Sequence, residues 1–169
     1  MATLLGIAIR KASRAPMETL EEAEISLESG IAEDFRGGVE NRQVTVLVKE
    51  AWEAACTAQG EELSWTTRRA NLLVDELDLK ESTGSLLKIG GALLEITGET
   101  LPCPRMDEQR PGLQDALGPD WRAGVTCKVV EGGGDPDRQC GGPGKFRSRG
   151  LITASEEKCT DRTIRSDQT

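Results

Sequence analysis

Apolar residues in this chain fall into short runs, most of them with a period of two. Residues 4–9 make a first strand-like run. Residues 20–31 alternate, with Ala23, Ile25 and Leu27 on one face and Glu22, Glu24, Ser26 and Glu28 on the other. Residues 43–48 are rich in β-branched side chains and lead into a helix over 49–58. Trp52, Ala55, Cys56 and, just beyond, Gln59 share one face of that helix, and Gly60 ends it. A further strand is predicted over 70–74. Residues 86–89 and 92–97 flank Gly90-Gly91, a hairpin signal because both turn residues tolerate positive φ. Residues 111–117 predict a short helix with Pro111 in its first turn, and 124–130 a last strand. Many short strands with two brief helices predict a mainly β fold, a barrel or a sandwich with helical insertions.

After Glu131 the pattern lapses. Gly132-Gly133-Gly134-Asp135-Pro136 and Gly141-Gly142-Pro143-Gly144 are followed by a stretch whose only large apolar residues are Phe146, Leu151, Ile152 and Ile164. Residues 1–131 therefore read as one domain and 132–169 as a Gly/Pro-rich, then polar, disordered tail. No apolar run has the length of a membrane span, and the first nine residues lack a cationic segment ahead of a long apolar one. Neither membrane association nor secretion is expected, and the expected compartment is the cytoplasm.

Net charge is −8, which argues against nucleic-acid binding. The region from Glu131 onward holds seven basic and seven acidic residues, so the acidic excess belongs to the domain before it. Against that background Arg36, Arg42, the pair Arg68-Arg69, Arg105 and Arg122 stand out as donors for a small anion. The chain has no histidine, which excludes Ser-His, Cys-His and zinc-His chemistry. Its five cysteines include no Cys-x-x-Cys pair, so neither a disulfide framework nor a zinc or iron–sulfur site is expected. Cys103 differs from the others because Pro102 and Pro104 restrict its backbone and present its sulfur. Cys56 and Cys127 fall in phase with apolar neighbours and read as core. Trp65 and Trp121 fit either core packing or a stacking wall for a flat ligand.

Taken in order, several segments resemble the MOSC domain, the module named after the C-terminal part of molybdenum-cofactor sulfurases. They are Arg42-Gln43-Val44-Thr45-Val46-Leu47, Thr66-Thr67-Arg68-Arg69-Ala70-Asn71-Leu72, Leu94-Glu95-Ile96-Thr97-Gly98-Glu99-Thr100, Pro102-Cys103, Arg105-Met106-Asp107, Pro111-Gly112-Leu113 and Trp121-Arg122-Ala123-Gly124-Val125. The resemblance runs from about residue 4 to 131. It implies a MOSC-type β-barrel of the pyruvate-kinase-barrel kind with a few short helices. It also places the family's motif cysteine, a molybdenum ligand in some members, on Cys103, and its Arg-x-Asn pterin-phosphate motif on Arg69 and Asn71. Arg68, Arg42, Arg122 and Arg105 are added cofactor-binding candidates because a phosphate and a pterin edge need several fixed donors. Arg36, in a loop of altered sequence with Asp34 as its aligned acid, is expected to matter less than Arg69. Where the family closes its barrel with a strand, Gly134-Asp135-Pro136 is followed here by Asp137-Arg138-Gln139-Cys140, so the last strand is expected to be missing.

The function implied is that of a molybdenum-cofactor-dependent oxidoreductase reducing small N-hydroxylated compounds. No cluster motif or dinucleotide fingerprint is present, so its electrons are expected from a separate reductase. The alternative is a persulfide carrier in which Cys103 is loaded by a sulfurase in metal–sulfur cluster or cofactor assembly, with pyridoxal phosphate belonging to that partner. A third reading is a member that has lost its closing strand and does nothing.

Overall fold

The computed structural model describes residues 2–89, 92–131, 144–147 and 152–155. In chain order the elements begin with strands β1 (Leu4–Ile9), β2 (Glu18–Leu20), β3 (Glu22–Ser26), β4 (Gly30–Ile31) and β5 (Val44–Val48). Helix α1 (Lys49–Gln59), a 3₁₀ turn at Trp65–Arg68 and strands β6 (Leu72–Val74), β7 (Leu86–Ile89) and β8 (Ala92–Glu99) follow. Helices α2 (Arg105–Gln109) and α3 (Leu113–Leu117), a second 3₁₀ turn at Pro119–Trp121 and strands β9 (Val125–Glu131), β10 (Gly144–Arg147) and β11 (Ile152–Ser155) complete the set.

Eight strands form one sheet in the order β11-β7-β8-β9-β5-β6-β1-β2, and β10-β3-β4 form a second. Ile25 and Ile31 from the small sheet share one buried cluster with Leu4, Val46, Leu72, Leu94 and Val125 from the large one. The large sheet therefore curls around a core that the small sheet covers, a mainly β, barrel-like arrangement with a few short helices, as predicted. At its centre β5 and β6 are parallel and joined through α1. Both of these strands are buried on two faces. Val46 and Val48 point into the main core while Leu47 meets Trp52, Ala55 and Cys56 of α1, Met106 of α2 and Leu113 of α3 in a second cluster. Such two-sided burial is why these strands read as continuous apolar runs.

Most predicted elements appear. β1 has its predicted bounds, α1 ends at Gly60 with φ +76°, and Ile89 pairs with Ala92 across the hairpin whose turn residues lie outside the described set. Three details differ. The alternation over 20–31 becomes three short strands, and Leu27 is 49% exposed rather than core. Helix α3 starts at Leu113, because Gly112 takes φ +88° and leaves Pro111 ahead of the helix. Within the stretch read as a disordered tail, β10 pairs with β3 and β11 with β7, which corrects that expectation for these two segments. The remainder of that stretch lies outside the described residues.

Gly124 fixes how β9 meets β5. It has φ +90°, and a Cβ there would stand 2.1 Å from the Val46 carbonyl oxygen. Gly124→Ala is expected to cost at least about 2 kcal/mol, a fall in Tm of ~4–8 °C for a chain of this size. A Tm within a degree of the parent would refute the close approach. Ending the chain at Cys140 is expected to lower Tm as well, because it uncovers an edge of each sheet. Unchanged melting would mean that neither β10 nor β11 supports the fold.

Candidate functional site

Loops that follow β1, β4 and β8, and others that precede β5 and β6, converge on a cleft of about 240 Å³. Arg10, Arg36, Arg42, Arg68, Arg69 and Arg105 line it together with Asp34, Met17, Thr45, Asn71, Thr100, Leu101 and Cys103. That is six guanidinium groups against one carboxylate, in a protein whose net charge is −8. Six of the seven residues predicted for the site lie here. The seventh, Arg122, does not: its Nη1 donates to the Ala116 carbonyl at 3.2 Å and caps α3.

Local structure explains how each group is held. Ser64 caps the 3₁₀ turn, which ends at Arg69 in the left-handed conformation (φ +63°) and turns the chain into β6. The Arg69 Nη2 donates to the Ala15 carbonyl, tying the β1–β2 loop to the cleft. Arg68 is only 7% exposed; its Nε donates to the Ala123 carbonyl at 2.9 Å, while its Nη2 is buried with no partner. The Thr100 hydroxyl is likewise buried and unpartnered. Asn71 joins three strands. Its Oδ1 accepts from the Thr45 backbone N at 3.0 Å and hydroxyl at 3.1 Å, and its Nδ2 donates to the Ala8 carbonyl at 3.1 Å. Asp34 accepts from the backbone N–H of Arg10 at 3.1 Å and of Arg36 at 3.2 Å, so the one acid of the cleft fixes two of its arginines.

Cys103 is exposed at the rim. Its carbonyl accepts from the Met106 N–H at 2.9 Å, opening α2, and buried Met106 anchors that helix in the second cluster. Gln114 reaches back to the Pro102 carbonyl, and the Thr100 N–H donates to Gly124. The Pro-Cys-Pro segment is thus braced on both sides. Cys56 and Cys127 are buried, as predicted, and burial pushes the Cys127 thiol up. Trp65 packs in the second cluster and Trp121 against the main core, so neither is a wall of the cleft.

Burial depresses Arg68 to about 10, with Arg42 and Arg10 adding to the effect and Cys103 opposing it. Arg10 and Arg69 are lowered too, first by burial and then by neighbouring arginines. For a base held below its ordinary value the protonated form burdens the fold. Arg68 therefore costs stability at neutral pH, and the cost is relieved as pH rises through about 10. An anion in the cleft would remove the same burden.

Arg10, Met17, Thr45 and Thr100 were not predicted for the site. Arg10 directly follows β1, but only the pairing of β1 with β6 brings it beside Arg69. Arg36 stands in the cleft alongside Arg69, so nothing in the geometry ranks one below the other. A larger open groove beside α1, lined by Trp52, Trp65, Leu5, Leu63 and several glutamates, has no comparable cation cluster. Among the described residues no group of three or more Cys, Asp or Glu could hold a metal. No helix there is long and apolar enough to cross a membrane.

A thiol at the rim of an arginine-lined cleft, on a curled sheet with a covering sheet, defines the class of protein. The family model for the MOSC domain matches residues 33–134, more than half of the chain, and the chain belongs to the MOSC family. Solved structures agree on the fold. The chain is similar to the YuaD protein of Bacillus subtilis (20% identity, 90% of this chain and 94% of that one, TM-score 0.70). It is also similar to YiiM of Geobacillus stearothermophilus (12%, 92% and 75%, TM-score 0.68) and YiiM of Escherichia coli (15%, 90% and 69%, TM-score 0.64). No curated protein matches by sequence.

The two orphaned polar groups give a test for an anionic ligand. Arg68→Met is expected to melt close to the parent or above it without ligand, since removing a buried unpaired charge offsets the lost Nε bond. The parent's Tm should climb with phosphate concentration, its stability gaining about 1.4 kcal/mol per tenfold once phosphate is well above its Kd. Arg68→Met should lose most of that climb. Equal phosphate dependence in both proteins would remove Arg68 from the site.

Proposed function

We propose that the cleft binds molybdenum cofactor, with Cys103 as the protein's ligand to the metal and the arginines holding the phosphate. The observation that carries this reading is the exposed Cys103 sulfur at the rim of a cleft where the Arg68 Nη2 and the Thr100 hydroxyl are buried without partners. A dianionic phosphate in the cleft would offset the repulsion among the six guanidinium groups. A lone protein thiolate suits a soft metal whose other ligands come from the cofactor itself. The cleft volume of about 240 Å³ is below the usual range for a whole-ligand pocket, ~300 Å³ upward. The cleft thus suits the phosphate end, with the metal end at the exposed rim.

Bound there, molybdenum supplies the two-electron chemistry for removing the oxygen of an N–OH group. The protein's own part is to orient, neutralise and expose. Asp34 sets the backbone of Arg10 and Arg36, Asn71 keeps β1, β5 and β6 in register beneath the site, and α2 fixes the Cys103 turn. Electrons come from a separate reductase that meets the Cys103 rim. The exposure of Cys103 also favours a second reading, a persulfide carrier loaded by a pyridoxal-phosphate-dependent sulfurase.

Molybdenum counted per chain, after co-expression with cofactor synthesis, tests the first reading. Cys103→Ser is expected to lose most of the metal with Tm unchanged, because Cys103 is exposed and belongs to neither buried cluster. Arg69→Ala should weaken cofactor retention by roughly ten- to a hundredfold, the loss of one charge-assisted contact. Equal molybdenum in Cys103→Ser and parent would overturn the ligand assignment.

A further inference from the structure

We propose that, free of any cofactor, the cleft is a thiosulfate site at which Cys103 takes the sulfane sulfur and releases sulfite. The inference uses the same arginines but goes beyond the molybdenum reading and needs neither the metal nor a partner sulfurase.

Three observations select this chemistry. The chain has no histidine, and the cleft's one carboxylate, Asp34, is committed to two backbone N–H groups. Among the described residues no side chain of the cleft is a ready proton donor, so a reaction whose leaving group departs as an anion suits it best. The cleft is small and strongly cationic, which favours a compact dianion over a large substrate. Arg68, whose buried Nη2 has no partner, lines the same cleft as the exposed Cys103 and feels its charge, so an oxyanion drawn to the arginines lies in the cleft that the thiol borders. Thiosulfate meets all three conditions, since its sulfonate end is an oxyanion, its outer sulfur is electrophilic toward thiolates, and its leaving group departs as an anion.

The step balances without an added oxidant or reductant. The Cys103 proton goes to solvent, to which the thiol is exposed. The thiolate attacks the outer sulfur; the new Cys103–sulfur bond forms as the sulfur–sulfonate bond breaks, and its electron pair leaves with sulfite. The product is a Cys103 persulfide, and cyanide would remove its terminal sulfur as thiocyanate and restore the thiol. In water a thiolate and a dianion repel each other. Here fixed guanidinium groups cancel that repulsion before the reactants meet and stabilise the departing sulfite.

The test uses the full chain, purified from a host that makes no molybdenum cofactor, with thiosulfate as the probe. One sulfite per chain should appear, together with a gain of one sulfur atom in the mass of the Cys103 peptide and thiocyanate once cyanide is added. Cys103→Ser should give none of these. For Arg68→Met, the rate with thiosulfate relative to the rate of Cys103 alkylation by neutral iodoacetamide should fall about tenfold or more, the weight of one charge-assisted contact. Arg68→Lys, which keeps the charge, should recover part of that ratio, and melting curves confirm that each variant is folded. Sulfite release no greater than that of Cys103→Ser would overturn the proposal, as would an unchanged ratio in Arg68→Met. Neither result would bear on molybdenum binding, which is read separately from metal content.

Discussion

Crowding six guanidinium groups around one small cleft is the constraint on which the rest of the structure depends. Each charge repels the others, and Arg68 also gives up nearly all of its contact with water. Arginine suits this position better than lysine, because its charge is delocalised, more weakly hydrated and held far above neutral pH. Even depressed to about 10, Arg68 keeps its proton at pH 7. The cleft therefore stays cationic under ordinary conditions, and the fold must carry the repulsion until an anion arrives. Asp34 relieves it only in part, because one carboxylate faces six guanidinium groups.

Two buried amides show how the fold carries that load. Gln43 donates to the Leu27 and Gly37 carbonyls and accepts from the Val129 N–H at 2.8 Å, so it pins the β3–β4 region onto β9. Asn71 does the same for β1, β5 and β6. Both stand beside motif arginines in the sequence, yet their side chains are mostly occupied within the protein. Asn71 has one amide hydrogen left for a ligand, whereas its oxygen is fully used by Thr45. Its first task is positional, since without it the strand ends that present Arg10, Arg42 and Arg69 would lose their common anchor. A short motif can thus combine a ligand-binding residue with the residue that aims it.

The sequence made the core strands and much of the site legible because both rest on local signals. A short apolar run marked β1, β-branched side chains marked β5, Gly60 marked the end of α1, and the prolines around Cys103 marked a presented thiol. What escaped was non-local. Arg10 looks like any charge after a strand until β1 is paired with β6. Arg122 looks like any other arginine of the cluster until Ala116 claims it. The segments at 144–147 and 152–155 carry little apolar character, but an edge strand draws on backbone pairing with one neighbour, and β3 and β7 supply that. Composition alone underestimates strands of this kind, because it weighs side-chain burial and not the unpaired N–H and C=O groups of an existing sheet edge.

The missing histidine ties the electrostatics to the chemistry. In many sites a thiol works beside an imidazole that removes its proton and later returns one to the leaving group. Here nothing beside Cys103 can do the second task, so acid catalysis is replaced by fixed positive charge. Such a site favours reactions in which negative charge is transferred or stabilised over reactions that need a proton delivered on time. Metal ligation by a thiolate and sulfur transfer from an oxyanion both meet that condition, although they differ in every other respect. Ester or amide hydrolysis does not, because its leaving group must be protonated within the site. The same six arginines that burden the empty fold thereby narrow the chemistry available to the one exposed thiol among the described residues.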